Sequence, residues 1–261
     1  MLVGAAVARD HGVPLAAFGP NAMAAIAGAA LAWLLLRLDP TRRQWVAARL
    51  PALAGLAIAA TMLMPATDGV QRWLWIGPLR LHAAAALAPW LLLPLARPGA
   101  APRAGVLPVA AAMLNVAQPD AAAATALAAG SLPLVSDRGR AIGAALLAVC
   151  AAWAWTRPDA LAPVGHVEGI VGLARASGPW LAAAAIASLA LLAAPALHAA
   201  VAGTPTVRRV GASILLSLAA TWVAAVIGVF PVGVLGAGAG PVLGWFAAMT
   251  WLAWTRREAA G

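Results

Sequence analysis

The feature that most limits this chain is a series of apolar runs cut apart by Pro, Gly and Arg clusters. The runs fall at about 16–36, 50–64, 81–96, 104–117, 121–135, 141–155, 178–202, 210–230 and 241–254. A helix that crosses a bilayer needs roughly 20 mainly apolar residues. The expected fold is therefore all-α. It is a polytopic integral membrane protein of about nine transmembrane helices, several of them short, in one membrane domain over residues 1–261. The runs do not alternate with period two, which argues against an outer-membrane barrel. They are rich in Ala and Gly, which suits close helix packing in lipid. Of all residues 64% are apolar and 10% charged. A soluble domain has roughly half and a quarter, so soluble and disordered classes are excluded.

The net charge of +9 alone would suit a nucleic-acid binder, but no nucleic acid is expected as a partner of so apolar a chain. All 17 basic residues are Arg. Sorted by alternate loops, twelve fall on one side: Arg37, Arg42, Arg43, Arg49, Arg97, Arg103, Arg138, Arg140, Arg208, Arg209, Arg256 and Arg257. Five fall on the other: Arg9, Arg72, Arg80, Arg157 and Arg175. Arg excess marks the cytoplasmic face. This places the C-terminus in the cytoplasm and, with nine spans, the N-terminus outside, in a multi-pass protein of the bacterial inner (cytoplasmic) membrane. The acids sort the other way: Asp10, Asp68, Asp120, Asp159 and Glu168 fall outside. The net charge is thus a topology signal plus attraction to anionic membrane lipid. The N-terminus lacks the basic region, apolar core and cleavage site of a signal peptide.

No metal or cofactor is expected. Cys150 is the lone cysteine, and no two His fall within one helical turn, so the spacing of a metal site is missing.

Four segments can carry chemistry. The first runs from Asp68 to His82 and holds Arg72, Trp73, Trp75 and Arg80. Trp and Arg at an interface serve as anchors, but Arg72 and Arg80 also suit a phosphate or pyrophosphate, which a guanidinium fork grips in two places. The second is Asn115-Val-Ala-Gln-Pro-Asp120. Pro119 breaks the helix, Asp120 is expected to cap the next, and a carboxylate at such a break is a functional candidate. The third is the outer loop from Thr156 to Gly169, where Asp159 and Glu168 make an acid/base pair only if the loop folds back on itself. The fourth, Gly228 to Pro241, is dense enough in glycine for a broken turn buried in protein.

In order and spacing these motifs resemble the SEDS family of FtsW/RodA-like membrane glycosyltransferases (shape, elongation, division and sporulation). Gln71-Arg72-Trp73 is similar to the family's Arg-Trp loop. Gln118-Pro119-Asp120 is similar to its Gln-Pro-Asp signature, and Gly165-His166-Val167 sits where Gly-Tyr-Gln is usual. Arg37-Leu-Asp39 and Val226-Ile-Gly-Val-Phe-Pro-Val-Gly-Val-Leu-Gly complete the set. The resemblance spans about residues 20–254, and residues 1–20 read as the remnant of a first helix. It implies peptidoglycan synthesis in cell division or cell shape. The activity would be a peptidoglycan glycosyltransferase that polymerises a polyprenyl-linked disaccharide-peptide on the outer face, beside a class B penicillin-binding protein. The implied catalytic candidates are Asp120, Asp159 and Glu168, and the implied substrate-binding residues are Arg72, Trp73, Arg80, Gln118 and His166.

The chain also departs from the pattern. The family's acid and base after the Arg-Trp loop give way to His82-Ala-Ala-Ala-Ala, and the outer loop over 156–177 is short, so its catalytic segment looks lost. Two alternatives follow: a non-catalytic scaffold or regulatory partner of a penicillin-binding protein, and a lipid transporter or flippase. A haem site on His82 and His166 lacks the extended Trp pattern of such loops.

Overall fold

The computed structural model describes residues 1–97, 105–228 and 230–260. Arg103, the first residue of the expected fourth span (Ala104) and Val229 lie outside the described residues. The helices are α1 (Leu2–Asp10), α2 (Gly19–Leu36), α3 (Pro40–Ala60), α4 (Ala83–Leu92), α5 (Val106–Ala117), α6 (Ala121–Ser131), α7 (Arg138–Trp155), α8 (Ile170–Ala176), α9 (Pro179–Ala202), α10 (Pro205–Ile227) and α11 (Ala239–Ala260). One antiparallel hairpin, β1 (Trp73–Ile76) with β2 (Leu79–His82), precedes α4. Each expected apolar run contains a helix among the described residues. Four helical stretches, Leu15–Leu36, Pro40–Leu63, Pro179–Ala202 and Pro205–Ile227, are by themselves long and apolar enough to cross a membrane.

Helix starts differ from the expected ones where capping decides. The second run was expected from residue 50, yet α3 begins at Pro40. Pro40 has the φ of a first helical position, and Asp39 Oδ1 accepts the Arg42 N–H at 2.9 Å, which satisfies one of the orphan donors there. Arg42, Arg43 and Arg49 are thus helical residues, Arg42 and Arg49 exposed and Arg43 half-buried.

Large apolar side chains face outward around a mainly apolar core, in which a few polar groups are buried. Ile26, Trp45, Leu56, Trp180 and Val226 are exposed, while Asn21, Arg72, Asn115, Gln118 and Asp120 are buried. This arrangement suits a lipid solvent, which satisfies no polar group. Close packing then rests on small residues. On α11, a Cβ at Gly244 would lie 2.1 Å from the Ala85 carbonyl oxygen of α4, and one at Gly240 would lie 2.7 Å from that of His82. On α10, Ser213 Oγ donates to the Gly130 carbonyl of α6 at 2.6 Å and Ser217 Oγ to that of Ala126 at 3.1 Å. At the Arg-rich end, Trp90, Trp251 and Trp254 cluster with centroids 5.6–6.2 Å apart.

The Gly-rich segment before α11 folds into the protein, as its composition suggested. Asn21 Nδ2 donates to the Gly236 carbonyl at 3.0 Å, and Gly238 N–H donates to Asn21 Oδ1 at 2.6 Å. Asn21 is fully buried, so its amide is the clamp that holds this segment to α2. Asn21→Ala leaves a buried N–H and carbonyl without partners. It is expected to lower stability by about 1–3 kcal/mol, read as a loss of melting temperature in detergent.

Candidate functional site

The site is built on the hairpin. Ile76 pairs with Leu79, so Gly77-Pro78 is a two-residue turn. Gly77 has φ of 59°, a value glycine adopts freely and a type II′ turn requires at its first position. Alternation then separates two faces. Leu74 and Leu81 pack into the core. Trp73, Trp75, Arg80 and His82 share the other face. Arg80 Cζ lies 4.3 Å from the centre of the Trp75 ring, and the His82 ring stands edge-on to Trp73.

His82 closes the hairpin and opens α4. Its Nδ1 accepts the Ala85 N–H at 3.1 Å, which leaves the ring proton on Nε2. That nitrogen lies 3.0 Å from Asp120 Oδ2. Asp120 caps α6 as expected, with Oδ1 accepting the Ala123 N–H at 3.1 Å. Its Oδ2 is buried and faces that Nε2–H. Both oxygens of Asp120 thus have a protein partner, one from the backbone and one from His82.

Arg72 starts the hairpin and is buried. Nε donates to the Gln118 carbonyl at 2.8 Å, and Nη2 donates to the Pro119 carbonyl and, at 2.8 Å, to Asp159 Oδ2. The carbonyls are available because the break at Pro119 ends α5 there. One guanidinium therefore ties the hairpin, the α5–α6 break and the outer loop together.

The outer loop does fold back. Val164 N–H donates to Glu168 Oε2 at 2.8 Å, and Ala237 N–H donates to the His166 carbonyl at 3.0 Å. Burial pushes the Glu168 carboxyl up from its ordinary range, and the charge of Asp159 pushes the same way, against the Val164 N–H.

These elements enclose a cavity of about 270 Å³. Its wall includes Arg72, Trp73, Arg80, His82, Asp120, Asp159 and Glu168, above an apolar floor from α4, α6, α10 and α11. Six of the eight residues singled out from the sequence meet here. Gln118 and His166 do not line the cavity. Gln118 Nε2 donates to Thr61 Oγ1 at 2.6 Å, so its side chain anchors the helix break to the end of α3. His166 meets the Gly-rich segment through its backbone. His82 was not among the eight, since its run read as lacking acid and base, yet it supplies an imidazole beside Asp120. Among the described residues no group of three His, Cys, Asp or Glu is placed to hold a metal ion.

No family model and no curated protein matches the chain. Solved structures do share its fold. Rod shape determining protein RodA of Thermus thermophilus superposes with a TM-score of 0.63 at 19% identity, over 98% of this chain and 93% of that one. A point variant of that protein gives 0.62 at 20% identity with the same coverage. A chain from a structure concerned with coordination of polymerization and crosslinking by a peptidoglycan synthase complex gives 0.66 at 19% identity, over 98% and 96%. The fold expected from the motif order is therefore found: this chain has the RodA-like architecture of a multi-pass membrane protein.

Proposed function

We propose that this chain is a SEDS-like protein of peptidoglycan synthesis in the bacterial inner membrane, and that its outer cavity binds a polyprenyl-linked disaccharide-peptide. The observation that carries this is the convergence, in a RodA-like fold, of two Arg, one His and three carboxylates on one cavity with an apolar floor. Arg80 on the rim suits a pyrophosphate oxygen, and the apolar floor suits an attached lipid. Arg80 is exposed on the hairpin rim and offers its fork to an anion. Arg72 is bonded to protein on several sides and acts as a positioning residue.

The carboxylates differ in what they can do. Asp159 is neutralised by Arg72. Asp120 lies on the cavity wall beside the His82 imidazole, and it is the carboxylate assigned to take the proton of an attacking sugar hydroxyl. In that transfer a new glycosidic bond forms at the sugar carbon as its bond to the pyrophosphate oxygen breaks. The pyrophosphate leaves with the electron pair, toward Arg80. A class B penicillin-binding protein is the partner that the comparison with a peptidoglycan synthase complex suggests.

The test is thermal unfolding of the purified protein with and without lipid-linked disaccharide-pentapeptide, followed by polymerisation with a penicillin-binding protein present. Precursor at 100 times its dissociation constant adds about 2.7 kcal/mol. Asp120→Asn is expected to keep that stabilisation and to reduce polymerisation by about 100-fold or more. Stabilisation with no polymerisation in either protein would move the non-catalytic scaffold to first place. No stabilisation at saturating precursor would remove the substrate reading.

A further inference from the structure

At the opposite, Arg-rich end lies a second pocket, of about 370 Å³, lined by Pro40, Arg43, Gln44, Arg97 and Glu258. We infer that this pocket is a phosphate-binding site for a singly charged phosphodiester, as carried by the headgroup of an anionic membrane phospholipid. It lies at the other end of the molecule from the outer cavity and does not depend on the substrate reading.

The argument starts from Arg43. Nη2 of Arg43 donates to the Leu38 carbonyl at 3.2 Å, while Nε is buried and has no hydrogen-bond partner. A buried guanidinium N–H without an acceptor is unfavourable. The Nε and Nη edge is also the one that grips two phosphate oxygens at once. Gln44 adds an amide on the same wall.

The charge of the pocket selects the ligand. Arg97 pairs with Glu258 through Nη2 and Oε1, and its guanidinium lies 5.4 Å from the centre of the Trp251 ring. Asp39, just before Pro40, pairs with Arg42 at 3.3 Å. Two guanidinium groups against one carboxylate leave a single positive charge on the wall. A phosphodiester with one negative charge matches it; a dianionic or polyphosphate group meets Glu258 as a repelling neighbour. Position agrees with charge, since a basic pocket between helices at the positive-inside face sits at the depth of lipid headgroups. The exposed Trp45 nearby on α3 offers the aromatic surface typical of that depth.

The experiment is thermal unfolding and native mass spectrometry of the detergent-purified protein with three probes: phosphatidylglycerol, phosphatidylcholine and inorganic phosphate. Phosphatidylglycerol is expected to stay bound and raise the melting temperature, and phosphatidylcholine to do neither. Arg43→Gln should weaken phosphatidylglycerol binding about tenfold or more, while Arg138→Gln, outside the pocket, leaves it unchanged. Gln44→Glu tests the same wall without touching Arg43, by adding a carboxylate that should reduce binding. Inorganic phosphate that protects the wild type and not Arg43→Gln would overturn the phosphodiester assignment and leave a site for free phosphate. Equal binding of phosphatidylglycerol to wild type, Arg43→Gln and Gln44→Glu would overturn the inference, as would equal binding of the two lipids.

Discussion

Arg72→Ala is expected to lower stability by about 1–3 kcal/mol, because it removes a buried guanidinium from its hydrogen-bond partners, while Asp159, which faces solvent, loses only a partner that water can replace. It also strips the Gln118 and Pro119 carbonyls of their donor. Three elements lose their common link at once, so precursor binding should disappear even in protein that remains folded. Arg72→Lys keeps the charge but has a single ammonium in place of a fork, and cannot span two carbonyls and a carboxylate in the same geometry. It should fall between the two. Melting curves in detergent, with precursor titrations on the folded fraction, check both variants. A melting temperature for Arg72→Ala within a degree of wild type would show that the guanidinium holds nothing together.

Gly244→Leu should be comparably damaging for a different reason. The first side-chain carbon already meets the Ala85 carbonyl oxygen at 2.1 Å, and backbone cannot swing aside as a side chain can. Overpacking a well-filled core costs about 1–3 kcal/mol where side chains can yield, and more is expected here because α11 must move away from α4. Gly244→Ala should already be destabilising. Gly143→Ala on α7 is the control. A Cβ there meets nothing within 4 Å, so that change should be neutral or stabilising by up to about 1 kcal/mol. Melting temperatures of the three variants, measured side by side, decide whether close approach of α4 and α11 is what the glycine provides.

The helices were legible because lipid imposes one pattern, a long apolar run with punctuated ends. Asp39 and Asp137 then set starts that hydropathy alone misplaced, since a capping carboxylate works among arginines as well as beside apolar residues. The hairpin was not legible. Trp-Leu-Trp-Ile and Leu-Arg-Leu-His alternate, but Trp and Arg also anchor interfaces, and that reading absorbed the signal. The short helix α8 is too brief for its apolar residues to stand out. In the site, motif order brought Arg72, Asp120 and Asp159 into view. What it missed were partners supplied by backbone. The acceptors of Arg72 are carbonyls freed by a helix break, and sequence names residues rather than carbonyls. Gln118 shows the reverse error, a polar residue in a suggestive motif whose side chain holds two helices together. His82 shows a third, in which the imidazole became informative only once the hairpin set it 3.0 Å from Asp120.

The pairing of Arg72 with Asp159 sets where charge is on offer in the cavity. Any anion that takes the Nη2 edge of Arg72 has to replace a carboxylate already seated 2.8 Å away. The pair therefore screens the deeper guanidinium and leaves Arg80, exposed on the hairpin rim, as the cation that an incoming anion meets first. A cavity with two arginines thus has one working anion receptor, and the other is spent as masonry.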